Sequence, residues 1–302
     1  MNRREGDSAG GAASSLRRTE ERLAWACLAL PLVVVLGVTV FPLAYNLWAS
    51  VHAVRLTNLG GSAPFVGLHN FQGVTGSVEL WRALATTLVY AFWAVSLSLL
   101  LGLVAALLLH RPLPARGLLR ALFLFPYVAP AVAVAFVWRW TLSPVYGVAN
   151  WGLRHLGAGG DPTAWLSTEP LALVTVILFE GWRYFPFDML FLLARLQAIP
   201  AELYEAARVD GAGPWTTFRC VTLPELRGVM ATLFAIRLLW TVNKFDDVFL
   251  LTGGAAGTRI LPIWIYDISF RLYDFGAGAA ASCLLLGALA VIAVPLTRRA
   301  FR

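Results

Sequence analysis

The sequence predicts an all-α membrane protein. It should have six transmembrane helices, both termini cytoplasmic, and a short polar helical loop between the fourth and fifth spans. Three observations lead there. Hydrophobic residues make up 59% of the 302 and charged residues only 14%, at a mean hydropathy of +0.70, whereas a soluble domain is nearer a quarter charged. Long apolar runs recur along the chain, each able to cross about 30 Å of hydrocarbon at about 1.5 Å per residue. Arginine collects on alternate connections between those runs.

Residues 1–22, MNRREGDSAGGAASSLRRTEER, are polar, small and of mixed charge, which predicts a disordered cytoplasmic tail. Residues 23–48 form the first apolar run, interrupted by Pro31 and Pro42. It is long for a signal-peptide core and follows acids as well as arginines, so it is expected to be an uncleaved span. A Gly-rich loop, 51–80, leads to the second span, 83–109. The basic connection HRPLPARGLLR (110–120) precedes the third span, 121–140, which contains FPYVAP (Phe125–Pro130). A loop at 141–168 leads to the fourth span, 171–193. After the polar loop come the fifth span, 229–251, a loop at 252–275, the sixth span, 276–296, and a basic tail, 297–302.

Orientation follows the arginines. Arg3, Arg4, Arg17, Arg18 and Arg22 precede the first span, and Arg111, Arg116 and Arg120 join the second to the third. Arg195, Arg208, Arg219 and Arg227 surround the polar loop, and Arg298, Arg299 and Arg302 end the chain. The positive-inside rule puts all of these in the cytoplasm. The net charge of +7 therefore belongs to span ends beside membrane lipid and does not indicate nucleic-acid binding. Cys27, Cys220 and Cys283 have neither metal-ligand nor disulfide spacing and are expected to be packing residues.

The polar loop, residues 200–224 (PAELYEAARVDGAGPWTTFRCVTLP), is punctuated as two short helices. Pro200 suits a first helical position. Glu202 and Glu205 lie near the positive end of the dipole, and Ala206 and Ala207 favour helix. Gly211 offers a stop. Pro214 opens a second helix, expected to end before Leu223-Pro224. A helix of about eleven residues is only about 16 Å long, too short to span. It must lie on the membrane surface or press into another protein.

Glu205-Ala206-Ala207, then Asp210-Gly211-Ala212, then Leu223-Pro224 resemble the cytoplasmic signature loop of binding-protein-dependent ABC importer permeases. Leu196–Pro200 is similar to the entry into that loop, Phe65–Phe71 (FVGLHNF) to the first external loop of sugar-type members, and Phe249–Gly254, Leu261–Tyr266 and Tyr273–Gly276 to the region of the last two spans. The group it most resembles is the maltose- and glycerol-phosphate-type subunit, over roughly residues 25–300, which makes 23–296 one importer transmembrane domain. The resemblance implies that the loop is a coupling helix docked on an ATPase subunit, with Glu202, Glu205, Ala206, Ala207, Asp210, Gly211 and Pro224 carrying the contact and its turns. It also implies a heterodimer with a second homologous permease, two ABC ATPase subunits and an extracytoplasmic solute-binding protein. The chain itself has no phosphate-cradling loop: the one lysine, Lys244, follows Thr241-Val242-Asn243. No H-E-x-x-H or nucleophile-elbow motif is present either, so no enzyme activity, metal or bound cofactor is expected, and ATP is used by the partner subunits.

Intramembrane polar groups are candidates for the translocation path. Arg237, Trp240, Asn243, Lys244 and Asp247 recur at spacings of three and four, one face of a continuous fifth helix. Glu180, Arg183, Tyr184 and Phe187 do the same in the fourth span, where Pro186 can kink the helix. The resemblance implies substrate contacts for Tyr184, Phe187 and Asn243; Lys244 and Asp246 depart from the maltose pattern. Pairing of Lys244 with Asp247 or Asp246 to join helices is the alternative. The expected function is ATP-driven, alternating-access import of a sugar, oligosaccharide or polyol across the cell membrane. Glycerol-3-phosphate or another phosphate ester is the second reading, and an ATPase-independent channel or intramembrane enzyme a third.

Overall fold

The computed structural model describes residues 5–58, 61, 63–112, 114–157 and 161–300, with side chains described at 20–291 and 293 within those bounds. Among the described residues the only strand-like pairings are two isolated bridges, His52 with Phe65 and Arg55 with Asp274; the rest is helix and loop.

Helix α1 (Glu5–Val35) passes through a π-turn at Leu36–Val40 into α2 (Phe41–Ser50). Pro42 cannot donate to the carbonyl four residues back, and the π-turn ends two residues before it, at Val40. The predicted disordered tail is helical from Glu5 onward. Its alanines and its Glu/Arg run are good helix formers, and a helix extending from an apolar span needs no new nucleus. Helix α3 (His69–Gly76) follows the first loop. The Asn70 amide donates to the carbonyls of Ser50 and His52, both at 2.9 Å, stapling that loop to the end of α2. The Gly276 N–H donates to Val54 O at 2.9 Å. The sequence stretches around 70 and 276 therefore meet in space.

Helix α4 (Val78–His110) is capped by Ser77, whose hydroxyl accepts from the Leu80 N–H. The third apolar run is not one straight span. Helices α5 (Arg116–Val128) and α6 (Ala131–Thr141) meet at 93°. Pro130 drives Ala129 out of the helical region, to ψ 141°. A short α7 (Val148–His155) precedes α8 (Leu171–Gln197), which runs through Pro186 without interruption.

The polar loop forms α9 (Ala201–Val209) and α10 (Pro214–Thr217). Pro200 caps α9 from outside, at ψ 133°, and is not its first helical residue. Helix α10 does not end before Leu223-Pro224. It continues through a π-turn at Phe218–Thr222 into α11 (Leu223–Val242), the π-turn again lying just before a proline. The fifth apolar run also breaks: α11 stops at Val242, and α12 (Asp246–Thr252) starts afresh with two acids in its first turn. Helix α13 (Leu261–Tyr266) continues into a π-turn at Asp267–Arg271, and α14 (Phe275–Ala300) ends the chain.

The core is built on α4 against α8. A Cβ on Gly102 would sit 2.9 Å from Met189 N, and one on Gly181 would strike Leu97. Glycine at both points permits that close approach. Tyr90, Ala91, Ala94, Val176 and Phe179 are sealed at one level, and Ala106, Met189, Leu192, Leu196 and Leu226 at another. By length and composition Glu20–Ser50 and Val78–His110 qualify as spans, and the bent α5–α6 pair makes a third. Helix α8 is about 40 Å long but carries Glu180, Arg183, Asp188 and Arg195.

Candidate functional site

Glu180, Arg183, Tyr184 and Phe187 follow one another at spacings of three, one and three, so α8 turns them toward α11 and α12. Arg237 enters from α11, Lys244 from the break and Asp247 from the first turn of α12. Arg237 Nη2 lies 3.6 Å from Glu180 Oε1. Lys244 Nζ lies 3.1 Å from Asp247 Oδ2 and 4.0 Å from Glu180 Oε1. Arg183 Nη1 is 3.9 Å from Asp247 Oδ1.

Tyr184 stands at the centre. Its hydroxyl donates to Asp247 at 3.2 Å and accepts from Lys244 and from Arg183 Nε, the latter at 3.3 Å. The Arg237 guanidinium carbon lies 4.4 Å from its ring centroid, a cation–π contact. Arg183 also donates to the Ala129 carbonyl at 3.3 Å. One side chain thus satisfies a carbonyl released at the α5–α6 bend and braces the α11–α12 break. Asp188 accepts from Ser98 of α4 and lies within electrostatic reach of Arg237.

The expected single polar face divides in two. Arg237, Lys244, Asp247 and Tyr184 form a paired network, with Arg237 and Asp247 only 2% and 1% exposed. These side chains join helices, and the partner of Lys244 is Asp247. Asp246 is exposed and has no ion pair among the described residues. A break of three residues, 243–245, interrupts the helix that the spacing assumed, so Lys244 and Asp247 do not continue the face of Arg237 and Trp240. Trp240 and Asn243 remain exposed, and half-buried Phe187 lies beside Trp240 with ring centroids 5.4 Å apart. Tyr127 of α5 joins this aromatic surface, 6.0 Å from Phe187 and 5.9 Å from Tyr184. Sequence reasoning did not single out Tyr127. Its signal was the FPYVAP stretch, a tyrosine between two prolines inside an apolar run.

Helix α9 is a separate, exposed feature. Glu202, Glu205, Ala206 and Asp210 are exposed and Ala207 is half-buried. The Tyr204 hydroxyl meets Thr222 Oγ1 at 3.2 Å. Gly211 has φ +77°, and its N–H donates to Arg208 O while the Ala212 N–H donates to Ala207 O at 2.9 Å. This pair of bonds is a Schellman ending, in which a residue with positive φ closes the helix. Pro224 is exposed at the start of α11. Next to it, Glu225 pairs with Arg195 at the end of α8. Both ends of the loop are therefore fixed to the helices that continue into the core.

Residues 98–301 match the family model described as the binding-protein-dependent transport system inner membrane component. The chain is 36% identical over 272 residues to a trehalose/maltose transport system permease protein of Thermococcus litoralis, spanning 90% of this chain and 91% of that one. It is 33% identical over 283 residues to the inner membrane ABC transporter permease protein YcjO of Escherichia coli, spanning 93% and 94%. It is 34% identical over 277 residues to the trehalose transport system permease protein SugA of Mycobacterium tuberculosis, spanning 92% and 88%. A crystal structure of a bacterial alginate ABC transporter, with alginate pentasaccharide-bound periplasmic protein, has the same fold. Its TM-score is 0.77 at 23% identity, over 91% of this chain and 93% of that one. These are transport proteins of the inner membrane and not enzymes. The chain belongs to their family, the binding-protein-dependent inner-membrane permease components of ABC transporters.

Proposed function

We propose that this chain is one of two permease subunits of an ATP-driven importer that carries a sugar, oligosaccharide or polyol into the cytoplasm. The observation that carries the reading is the aromatic surface of Tyr127, Phe187 and Trp240, with exposed Asn243 three residues beyond Trp240 at the end of α11. Aromatic rings offer an apolar face to a pyranose ring, and an amide both donates to and accepts from hydroxyls. Relatives with names referring to trehalose and maltose support the same cargo class. The phosphate-ester reading has less support: Arg183, Arg237 and Lys244 are each already paired with a carboxylate of this chain.

In this reading six spans put both termini and α9 in the cytoplasm, a solute-binding protein delivers cargo outside, and two ATPase subunits grip α9 on this chain and its counterpart on a second permease. ATP closes the motor, α9 moves with it, and the rigid path from α9 through α10 to α11 passes the displacement to the aromatic surface in an alternating-access cycle. This chain contributes no ATP site.

The test is uptake by the reconstituted four-subunit assembly with its binding protein. Labelled neutral disaccharides are expected to enter, and glycerol-3-phosphate is not. Trp240→Ala should raise KM for the sugar about tenfold, equivalent to losing about 1.4 kcal/mol of binding. Uptake of the phosphate ester alone, or an unchanged KM in the variant, would refute the reading.

A further inference from the structure

We infer that a cavity beneath α9 is a binding site for one anionic phospholipid of the cytoplasmic leaflet. The inference rests on the cytoplasmic placement of α9 given under Proposed function. The cavity has a volume of about 800 Å³ and lies where the end of α4 meets the α9–α10 loop. Leu107, Leu196 and Phe218 give it an apolar floor, and His110, Arg111 and Arg208 stand at its rim. No aspartate or glutamate lines it among the described residues. Neither Arg111 nor Arg208 is in an ion pair among the described residues.

Helix α9 has two working faces. Ala201, Tyr204 and Arg208, spaced three and four apart, line the cavity. Glu202, Glu205 and Val209, each one residue further on, lie about 100° round the helix, outside the cavity lining, and are exposed. The first face looks at the membrane end of α4, and the second is left for a protein partner. Trp215 is 70% exposed at the mouth of the cavity and stacks on Phe218 with centroids 5.6 Å apart. Tryptophan favours the headgroup level of a bilayer.

An apolar floor with a cationic, acid-free rim fits one chemistry: a phosphodiester with an attached acyl chain. The guanidinium groups meet the phosphate, and the floor takes the first methylenes of the chain. A free phosphate would leave that floor unfilled. Basic pockets between helices on the cytoplasmic side are suited to anionic headgroups. A lipid here would wedge between α9 and α4 and hold α9 at a set distance from the membrane end of the core.

The experiment uses the assembled transporter in nanodiscs of phosphatidylcholine mixed with phosphatidylglycerol, followed by mass spectrometry of the intact complex to count retained lipid. The unaltered complex is expected to retain phosphatidylglycerol selectively. Arg111→Gln with Arg208→Gln should weaken retention about 25-fold, about fivefold per arginine. Arg219→Gln with Arg227→Gln removes the same charge from exposed positions outside the cavity and should leave retention unchanged. Leu107→Trp fills the floor without changing charge and should also lower retention. Equal loss in the Arg219/Arg227 control would reduce the effect to general surface charge and overturn the site. So would unchanged retention in the Arg111/Arg208 variant, or inorganic phosphate binding there with no lipid retained. Retention is read without transport, so an error about the cargo leaves the result standing.

Discussion

Glu180 and Arg237 are 0% and 2% exposed, and at such positions pairing decides stability. Removing one partner of a buried pair costs about 3–5 kcal/mol, because the other charge stays buried without compensation. Here the neighbourhood holds three cations, Arg183, Arg237 and Lys244, and three carboxylates, Glu180, Asp188 and Asp247. Either single change, Glu180→Leu or Arg237→Leu, therefore leaves one uncompensated charge. The double change restores the balance. Each single variant is expected to lower the thermal midpoint of the purified complex and its yield markedly, and the double variant to lose clearly less than the two losses added. Strict additivity in that cycle would mean the two groups do not act as a pair. The residue types were legible in the sequence, because charges are conspicuous in an apolar run. Their division into paired and exposed groups was not. The spacing of Arg237, Trp240, Asn243, Lys244 and Asp247 is that of one helix face. The break between Val242 and Asp246 is braced by Glu180 and Tyr184, about sixty residues earlier in the chain.

Prolines give the same lesson for whole helices. Pro31, Pro126 and Pro186 lie inside continuous helices, Pro42 and Pro224 follow π-turns, and Pro130 divides α5 from α6 at 93°. The local signal is alike at each. What distinguishes Pro130 is a tertiary partner: the Arg183 guanidinium donates to the Ala129 carbonyl. Helix α9 was more legible, because its stop is local. At φ +77° glycine carries no steric penalty, whereas an L-residue costs about 1–2 kcal/mol. A Cβ on Gly211 would meet no atom within 4 Å, so Gly211→Ala isolates the backbone effect. The expectation is frayed α9 and weaker retention of the ATPase subunits on affinity purification, with normal insertion in the membrane. Glu205→Lys changes the exposed face without touching the turn and should abolish uptake while α9 stays folded. Normal uptake by the Glu205→Lys transporter would count heavily against α9 as the point where the motor pushes.

At the scale of the molecule, arginine asymmetry and helix geometry bear on sidedness independently. Among the described residues, two helices and one bent pair are apolar and long enough to be spans alone. Helices α8 and α11 carry charge that is paired with α12 and with Lys244 at the break, so hydropathy by itself undercounts them. A helix whose charges are internally paired presents neighbours, and not lipid, with its polar side, and it can cross the membrane inside the bundle. The proposed six spans would put Asp210 and Tyr146 on opposite sides: Asp210 is exposed after α9, and Tyr146 is exposed in the loop between α6 and α7. Cys27 and Cys220 are exposed, so all three native cysteines are first replaced by serine. Asp210→Cys is then expected to react with a membrane-impermeant maleimide only in inverted vesicles, and Tyr146→Cys only in intact cells. Labelling of both from the same side would require an even number of crossings between positions 146 and 210, where α8 supplies one. The six-span topology would then fail, and labelling of both only in intact cells would overturn the cytoplasmic placement of α9 as well. The opposite-side result fixes α9 beside the arginines that predicted its side and leaves the aromatic surface between the two labelled positions, where a path across the membrane requires it.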